Sequence, residues 1–371
     1  MRHIIAGSPV LKEPSAKNAA ARLAVLRPPA ETRFLDGAAR ASFPEKFPGA
    51  WLRECGAPGL GPLLAGVINR PARLYLERPG KMLRPLITNI VLRAFGKRPG
   101  SYAEVLGAIE LMEAATVSFD DIIDGSDTRR GGRATHKLYG VKNAYLAYQA
   151  AYNWAYRAFL SPELKIKARV REEILASLAR EIFAYGCAQA SELYWTAEKK
   201  APAPEQYLNM TWDRIRFLSF NGPFRIGALL GGAGRERLKH FEAAGSWLGM
   251  AYHLHGDELN LFPRSPEWGK PLADDITGGR YTFLYLSALR TAGVSGRRAL
   301  SRALGNKRIS VPGLKNVIDI VRESGAIKKN RDMIGVFYGK ARAALEKCRL
   351  PAGRSSLLFD LARYMAYDRT K

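Results

Sequence analysis

The segment "TVSFDDIIDGSDTRRGG" (residues 116–132) carries Asp120, Asp121, Asp124 and Asp127 within eight positions, and Arg129 and Arg130 follow at once. On a helix, Asp120 and Asp124 share a face one turn apart, with Asp121 beside them. Like charges at that spacing destabilise a bare helix, so something must compensate. A solvated acidic turn is one compensation, and a helix end neutralised by the two arginines is a second. The third is Mg2+, which takes oxygen ligands and shares them with a substrate phosphate, while adjacent arginines donate to that phosphate in pairs. The apolar flanks disfavour the first reading. A DDxxD followed closely by RRG is far more specific to the third than a lone acidic pair is.

The elements that must position these groups read as long helices. "SYAEVLGAIELMEAATVSFDDIID" keeps apolar residues on a helical period and offers Ser101 as N-cap. "KIKARVREEILASLAREIFAYGCAQASELYWTAEKK" alternates charges on one face and carries Leu, Ile, Phe and Tyr on the other. "PEQYLNMTWDRIRFLSFNGPFRIGALLGGAG" begins at a proline and is interrupted at "NGP"; "ERLKHFEAAGSWLGMAYHLHGDELNLF" follows it. Runs of β-branched alternation are missing, so the fold class is all-α. Pro- and Gly-containing stretches such as "APAP" and "SVPG" read as interhelical loops. The glycines of "LLGGAG" follow no strand, which argues against a phosphate-cradling loop there. Residues 1–49 are expected to form a partly disordered or loosely packed extension, and 50–371 a single helical domain.

Composition narrows the function classes. The 371 residues are 47% hydrophobic, which suits a folded chain with a substantial core. No run approaches the roughly 18 apolar residues of a membrane span, and the N-terminus lacks the apolar stretch of a secretory signal. Cys55, Cys187 and Cys348 form no CxxC pair, which excludes a disulfide framework and points to a reducing cytoplasm. Lys and Arg number 58 against 34 Asp and Glu, a formal charge of +24. That surplus favours anionic partners. No nucleic-acid module accompanies it, so nucleic acid is not expected; solvated helix faces account first for the surplus, and loose attachment to anionic membrane surfaces is the second account.

Further blocks share the order and spacing of one family. "GKMLRP" (residues 80–85) lies upstream of "FDDIIDGSDTRRGGRATH", and "AQASELYWTAEKKAPAPEQYLNM" and "GMAYHLHGDELNLF" followed by "EWGKPLADDITGGRYTF" lie downstream. Over roughly residues 60–290 the chain resembles the trans-type polyprenyl diphosphate synthases, and their geranylgeranyl members in particular. The resemblance implies an isoprenoid-synthase-type helical bundle around a central apolar cavity. It implies a Mg2+-dependent prenyltransferase, commonly a homodimer, that joins an allylic prenyl diphosphate to isopentenyl diphosphate. By that resemblance Asp120, Asp121 and Asp124 ligate Mg2+ holding the allylic diphosphate, which Arg129 and Lys270 also reach. Lys81, Arg84 and Arg130 match residues that hold isopentenyl diphosphate. Ala115 and Thr116 occupy the positions that limit chain length, and without an aromatic floor they imply a product of about C20 or longer.

The same resemblance exposes departures. The second acidic region reads Gly256-Asp257-Glu258-Leu259-Asn260, so the leading carboxylate is missing and Asp257, with Glu258 as an alternative, is left to serve as metal ligand. Tyr252-His253 replaces the FQ before it, Arg214 and Arg280 replace two lysines, and Ile215 replaces a threonine. Seven residues before Asp120, where the family has a His or Gln that contacts isopentenyl diphosphate, stands Glu113. A carboxylate there repels a diphosphate unless it is tied to Lys81, Arg84 or Arg130. A relative that cyclises the ionised allyl group, or transfers it to an acceptor other than isopentenyl diphosphate, therefore stays open beside chain elongation, as does a non-catalytic partner subunit.

Overall fold

Apolar side chains recur at helical spacing through most of the chain, and helices form where they do. The computed structural model describes residues 24–78, 80–216, 220–264 and 272–369. By internal packing the chain divides into two units, one spanning Arg27–Leu175 and the other mainly Ala176–Lys371.

The first unit contains α1 (Pro29–Ala41), α2 (Gly49–Glu54), α3 (Gly61–Leu64), a π-type turn at Ala65–Asn69, α4 (Arg70–Glu77), α5 (Leu83–Ala94), α6 (Ala103–Asp124), α7 (Thr135–Tyr139) and α8 (Val141–Leu160). Helix α6 is its centre. Val105, Leu106, Ile109, Leu111, Met112 and Ala115 are all buried, and α1, α5 and α8 all pack against this helix. Ser101 does not cap α6. It lies in a 3-10 turn, Pro99–Tyr102, which runs straight into the helix and supplies its first carbonyl partners. Within the stretch read as an extension, α1 buries Leu35 and Ala39, and Phe43 and Phe47 join Trp51 and Trp154 in an aromatic cluster. Among the described residues the strands are a two-residue pair, β1 (Thr128–Arg129) and β2 (Gly132–Arg133), directly after α6.

Helix α9 (Ala168–Ala197) leads into the second unit, which contains α10 (Pro204–Arg216), α11 (Asn221–Gly231), α12 (Arg235–Leu261), α13 (Asp274–Thr277), α14 (Phe283–Thr291), α15 (Val294–Ala303), α16 (Val311–Glu323), α17 (Ala326–Lys347) and α18 (Ala352–Arg363), closed by a π-type turn at Tyr364–Asp368. Helices α12 and α17 form its central pair, with Trp247 stacked on Phe337 at 5.6 Å. The "NGP" residues open α11 instead of interrupting it, and Gly232 of "LLGGAG" ends that helix in a left-handed conformation (φ 89°). Ile215 has a packing role: it is buried, and it lies so close to Gly249 of α12 that a Cβ there would collide with it.

Candidate active site

The last turn of α6 carries the three aspartates, and their surroundings differ. Asp121 is completely buried. Its Oδ2 accepts the hydroxyl of Tyr75 from α4 at 2.7 Å, and its Oδ1 accepts both Nε (2.8 Å) and Nη2 of Arg129. Tyr75 accepts in turn from the Thr135 amide at 3.0 Å, and burial with Asp121 beside it pushes its phenol up to about 12. Asp120 and Asp124 are partly exposed on the same turn. Desolvation alone would ease the proton off Arg129, but the hydrogen bond and charge of Asp121, with Asp120 beyond, outweigh it and raise its pKa.

Local geometry brings Arg129 back to Asp121. Gly125 ends α6 in the left-handed region (φ 62°), and the Ser126 amide returns to Asp121 O at 3.0 Å. The chain then makes a two-residue hairpin whose central residues, Arg130 (φ 49°) and Gly131 (φ 75°), are both left-handed, the geometry that fits a tight antiparallel pair. Arg78 braces the hairpin from α4, donating to Arg129 O (3.0 Å) and Arg133 O (2.8 Å). "RRGG" is thus a device for aiming two guanidinium groups.

Arg130 is aimed at α6 one face over. Its Nη2 donates to Glu110 Oε1 at 2.8 Å, and its Nη1 reaches Tyr75 O. Glu110 is 1% exposed, so burial pushes its carboxyl up, against the pull of Arg130. One turn on, Glu113 is paired with Arg84 from the start of α5. The carboxylate that the sequence places in the acceptor region is therefore tied to a cation there. Lys81 precedes the same helix start and is exposed, with Arg27 donating to its carbonyl at 3.1 Å. Ala115 and Thr116 are buried on α6, the Thr116 hydroxyl donating to Met112 O. Next to them Phe119 stacks on Tyr148 of α8, with ring centroids 4.8 Å apart.

In the second unit, Asp257 is buried and accepts from Tyr207 Oη at 3.1 Å; His253 Nε2 lies 2.8 Å from the same hydroxyl and 3.7 Å from Asp257. Burial, then the charge of Arg214, drives the His253 imidazole down to about 3, so it is neutral. Arg214 pairs with Glu192 at 2.6 Å, and Arg280 bridges Asp274 and Asp275 at 2.9 Å each. Arg280 Nη2 makes both of these contacts and Nε adds a second donor to Asp275 Oδ1 at 3.1 Å, a two-nitrogen grip that a lysine ammonium does not reproduce. Glu258 points the other way, to Asn330 and Arg331 of α17. Lys270 lies outside the described residues.

Mg2+ prefers oxygen ligands in octahedral array and keeps several waters. Asp120 and Asp124 carry such oxygens at one turn's spacing, and the oxygens of Asp121 between them accept from Tyr75 and Arg129. Among the described residues no three His, Cys, Asp or Glu side chains converge into a cage. The donor set of the first unit fits a hard cation that takes its remaining oxygens from phosphate and water. The second region fits one poorly: Gly256 has no side chain, Asp257 is held by Tyr207, and Asn260 Oδ1 accepts the Asp275 amide at 3.2 Å.

Comparison with known proteins identifies the family. The polyprenyl synthetase family model matches residues 65–321. A short chain isoprenyl diphosphate synthase from Methanothermobacter thermautotrophicus is 29% identical over 64% of this chain and 71% of its own length. A geranylgeranyl diphosphate synthase from Methanosarcina mazei is 28% identical over 80% of this chain and 90% of its own. The crystal structure of geranylgeranyl pyrophosphate synthase from Corynebacterium glutamicum complexed with isoprenyl diphosphate and magnesium superposes with a TM-score of 0.74 at 22% identity, covering 95% of this chain and 98% of that one. Fold and matches define an all-α enzyme of the prenyltransferase class. The chain belongs to the polyprenyl synthetase family, the trans-type polyprenyl diphosphate synthases, and is geranylgeranyl-like in pattern.

Sequence reasoning missed Tyr75, Arg78, Glu110 and Tyr148. For Glu110 a signal existed: an acid inside the apolar run "AIELMEAAT" needs a buried partner. Tyr75 and Arg78 carry none, since their contacts are 46 and 51 or more residues away in sequence.

Proposed function

We propose that the enzyme is a Mg2+-dependent prenyltransferase that condenses an allylic diphosphate with isopentenyl diphosphate to give a polyprenyl diphosphate of about C20. The observation that carries this reading is the division of labour at the end of α6. Asp120 and Asp124 would hold the metal with an allylic diphosphate, and Asp121 would position Arg129, with Tyr75 fixing Asp121. When bound, Mg2+ supplies positive charge that makes diphosphate a competent leaving group. Arg129 adds fixed donors aimed where negative charge grows as the C–O bond breaks, and fixed dipoles and charges of this kind are usually the largest catalytic contribution. The bonding pair leaves with the diphosphate, the acceptor's double bond attacks the allylic carbon, and a proton is lost. Phe119 and Tyr148, stacked beside Asp120, present apolar rings where the prenyl chain would begin. Lys81, Arg84 and Arg130 would serve the acceptor diphosphate, Lys81 and Arg84 at the open N-terminus of α5. Lys270 would add a further cation to the allylic diphosphate. A cytoplasmic homodimer, resting loosely on anionic membranes when its lipophilic product leaves, suits this chemistry.

The Glu113–Arg84 pair favours one alternative, an acceptor other than isopentenyl diphosphate or cyclisation of the allyl group, because it leaves Arg84 already matched in charge. One experiment separates the two. The purified enzyme and Mg2+ are incubated with geranyl, farnesyl or geranylgeranyl diphosphate, each with and without isopentenyl diphosphate. Longer diphosphates formed only with isopentenyl diphosphate support elongation; hydrocarbons or alcohols formed without it overturn elongation in favour of the alternative.

A further inference from the structure

Arg369, directly after the turn that closes α18, is 4% exposed. Its guanidinium lies over the Tyr252 ring with Cζ 3.7 Å from the centroid, and Nη2 donates to Tyr252 O at 3.2 Å. The same Nη2 would sit 3.0 Å from a Cβ placed at Gly256. Arg369 thus fills the space that a side chain at 256 would need. Among the described residues no carboxylate pairs with it, and its Nε finds no acceptor. A guanidinium buried without counter-charge is costly unless an anion satisfies it.

We infer that Arg369 is an anion-binding residue for a phosphate or diphosphate group, standing where the second acidic region would otherwise place a metal-ligating carboxylate. Gly256 and Arg369 form one device: losing the side chain at 256 admits the guanidinium, and the guanidinium supplies fixed positive charge in this region without a metal ion. Its planar fork suits phosphate oxygens, and stacking on Tyr252 presets its plane before the ligand arrives. The inference rests on reading the chain as a diphosphate-handling enzyme, and its test separates the two claims.

Inorganic diphosphate is titrated calorimetrically into the full chain, once with EDTA and once with Mg2+, for wild type, Arg369→Met, Gly256→Asp and Asp120→Asn. Metal-free binding should weaken roughly ten- to a hundredfold in Arg369→Met and fall in Gly256→Asp, where the new carboxylate occupies the guanidinium. It should persist in Asp120→Asn, which should lose only the Mg2+-dependent gain. Ligand-free melting temperature should hold or rise in Arg369→Met and rise in Gly256→Asp, since each relieves an unmatched buried charge. Arg369→Met that melts lower but binds diphosphate as wild type does would make Arg369 a packing residue and overturn the inference. Unchanged affinity in Gly256→Asp would overturn it as well. An intact Mg2+-dependent gain in Asp120→Asn, with metal-free binding lost in Arg369→Met, would overturn the metal assignment alone and support the inference.

Discussion

Adjacent aspartates on α6 should respond to the same substitution in opposite ways. Asp121→Asn removes the charge from a fully buried carboxylate that accepts two donors from Arg129 and one from Tyr75. Breaking a buried ion pair from one side costs about 3–5 kcal/mol because the partner is stranded. Arg129 keeps 24% of its side chain exposed and water can recover part of that, so about 2–3 kcal/mol is expected here. Asp120→Asn acts on a partly exposed side chain one turn from Asp124, and its stability change should stay well below that of Asp121→Asn. Activity should divide the other way in character. Asp120→Asn should lower kcat by roughly a hundredfold or more and shift the Mg2+ concentration for half-maximal turnover upward. Asp121→Asn should lower kcat while leaving that Mg2+ concentration nearly unchanged, because its role is to place Arg129. Urea denaturation followed by circular dichroism gives the stabilities, and incorporation of labelled isopentenyl diphosphate over a Mg2+ series gives the rest. If Asp121→Asn proved as stable as wild type and shifted the Mg2+ requirement, Asp121 would be a metal ligand and the clamp reasoning would fail.

Other outcomes follow from the same contacts. Glu113→Gln releases Arg84, so KM for isopentenyl diphosphate should fall by about three- to tenfold with kcat held; an unchanged KM would remove Arg84 from that subsite. Arg280→Lys removes the second donor to Asp275 and should cost about 1 kcal/mol in urea denaturation, with no measurable loss arguing that this bond is idle. Tyr148→Ala opens the stack on Phe119 and should lengthen the product, read by chromatography of the dephosphorylated alcohols; an unchanged length would clear this wall of any limiting role. Burial pushes the Glu181 carboxyl from its ordinary 4.5 up to about 7. A carboxyl raised on folding opposes stability progressively as pH climbs from the unfolded value to the folded one, and the penalty is complete above about 7. Glu181→Gln should therefore gain about 3 kcal/mol near pH 8 but under about 1 kcal/mol near pH 5, and an equal gain at both would contradict the assignment.

The fold was legible because its signal is local. Helical periodicity in "AEVLGAIELMEAATVSF" is readable without knowing what packs around it, and Ala103–Asp124 duly forms. The helix start was less legible: a serine at 101 looks like a cap, yet a 3-10 turn can satisfy the same amides. The aspartates and arginines of the site were legible as types, since DDxxD and RRG are contiguous. Their partners were not. That Asp121 accepts from both Tyr75 and Arg129 depends on which side of α6 faces Tyr75, a residue 46 positions earlier. Arg369 was illegible for the same reason, since its neighbour Tyr252 lies 117 residues away.

A basic chain that handles diphosphates faces a problem of placement more than of charge. Mobile lysines attract an anion but must be ordered when it binds, and that ordering costs affinity. Here the guanidinium groups are set in advance by carboxylates: Arg129 by Asp121, Arg130 by Glu110, Arg84 by Glu113, Arg214 by Glu192 and Arg280 by Asp274 and Asp275. Each pairing lowers the net charge a ligand meets, yet it fixes the direction in which the remaining N–H groups point. Electrostatic stabilisation of a departing diphosphate depends on that direction more than on the count of cations, because donors already in place need no reorganisation when charge develops. Arg369 is the instructive contrast: an aromatic ring and a backbone carbonyl set it, so it keeps its full charge. A guanidinium held without a carboxylate should bind its anion more tightly than one that shares, at a greater cost to the ligand-free fold. Comparing the ligand-free stability gained in Arg369→Met with that lost in Arg84→Met measures this exchange directly, and equal losses in both would show that the two cations are held alike.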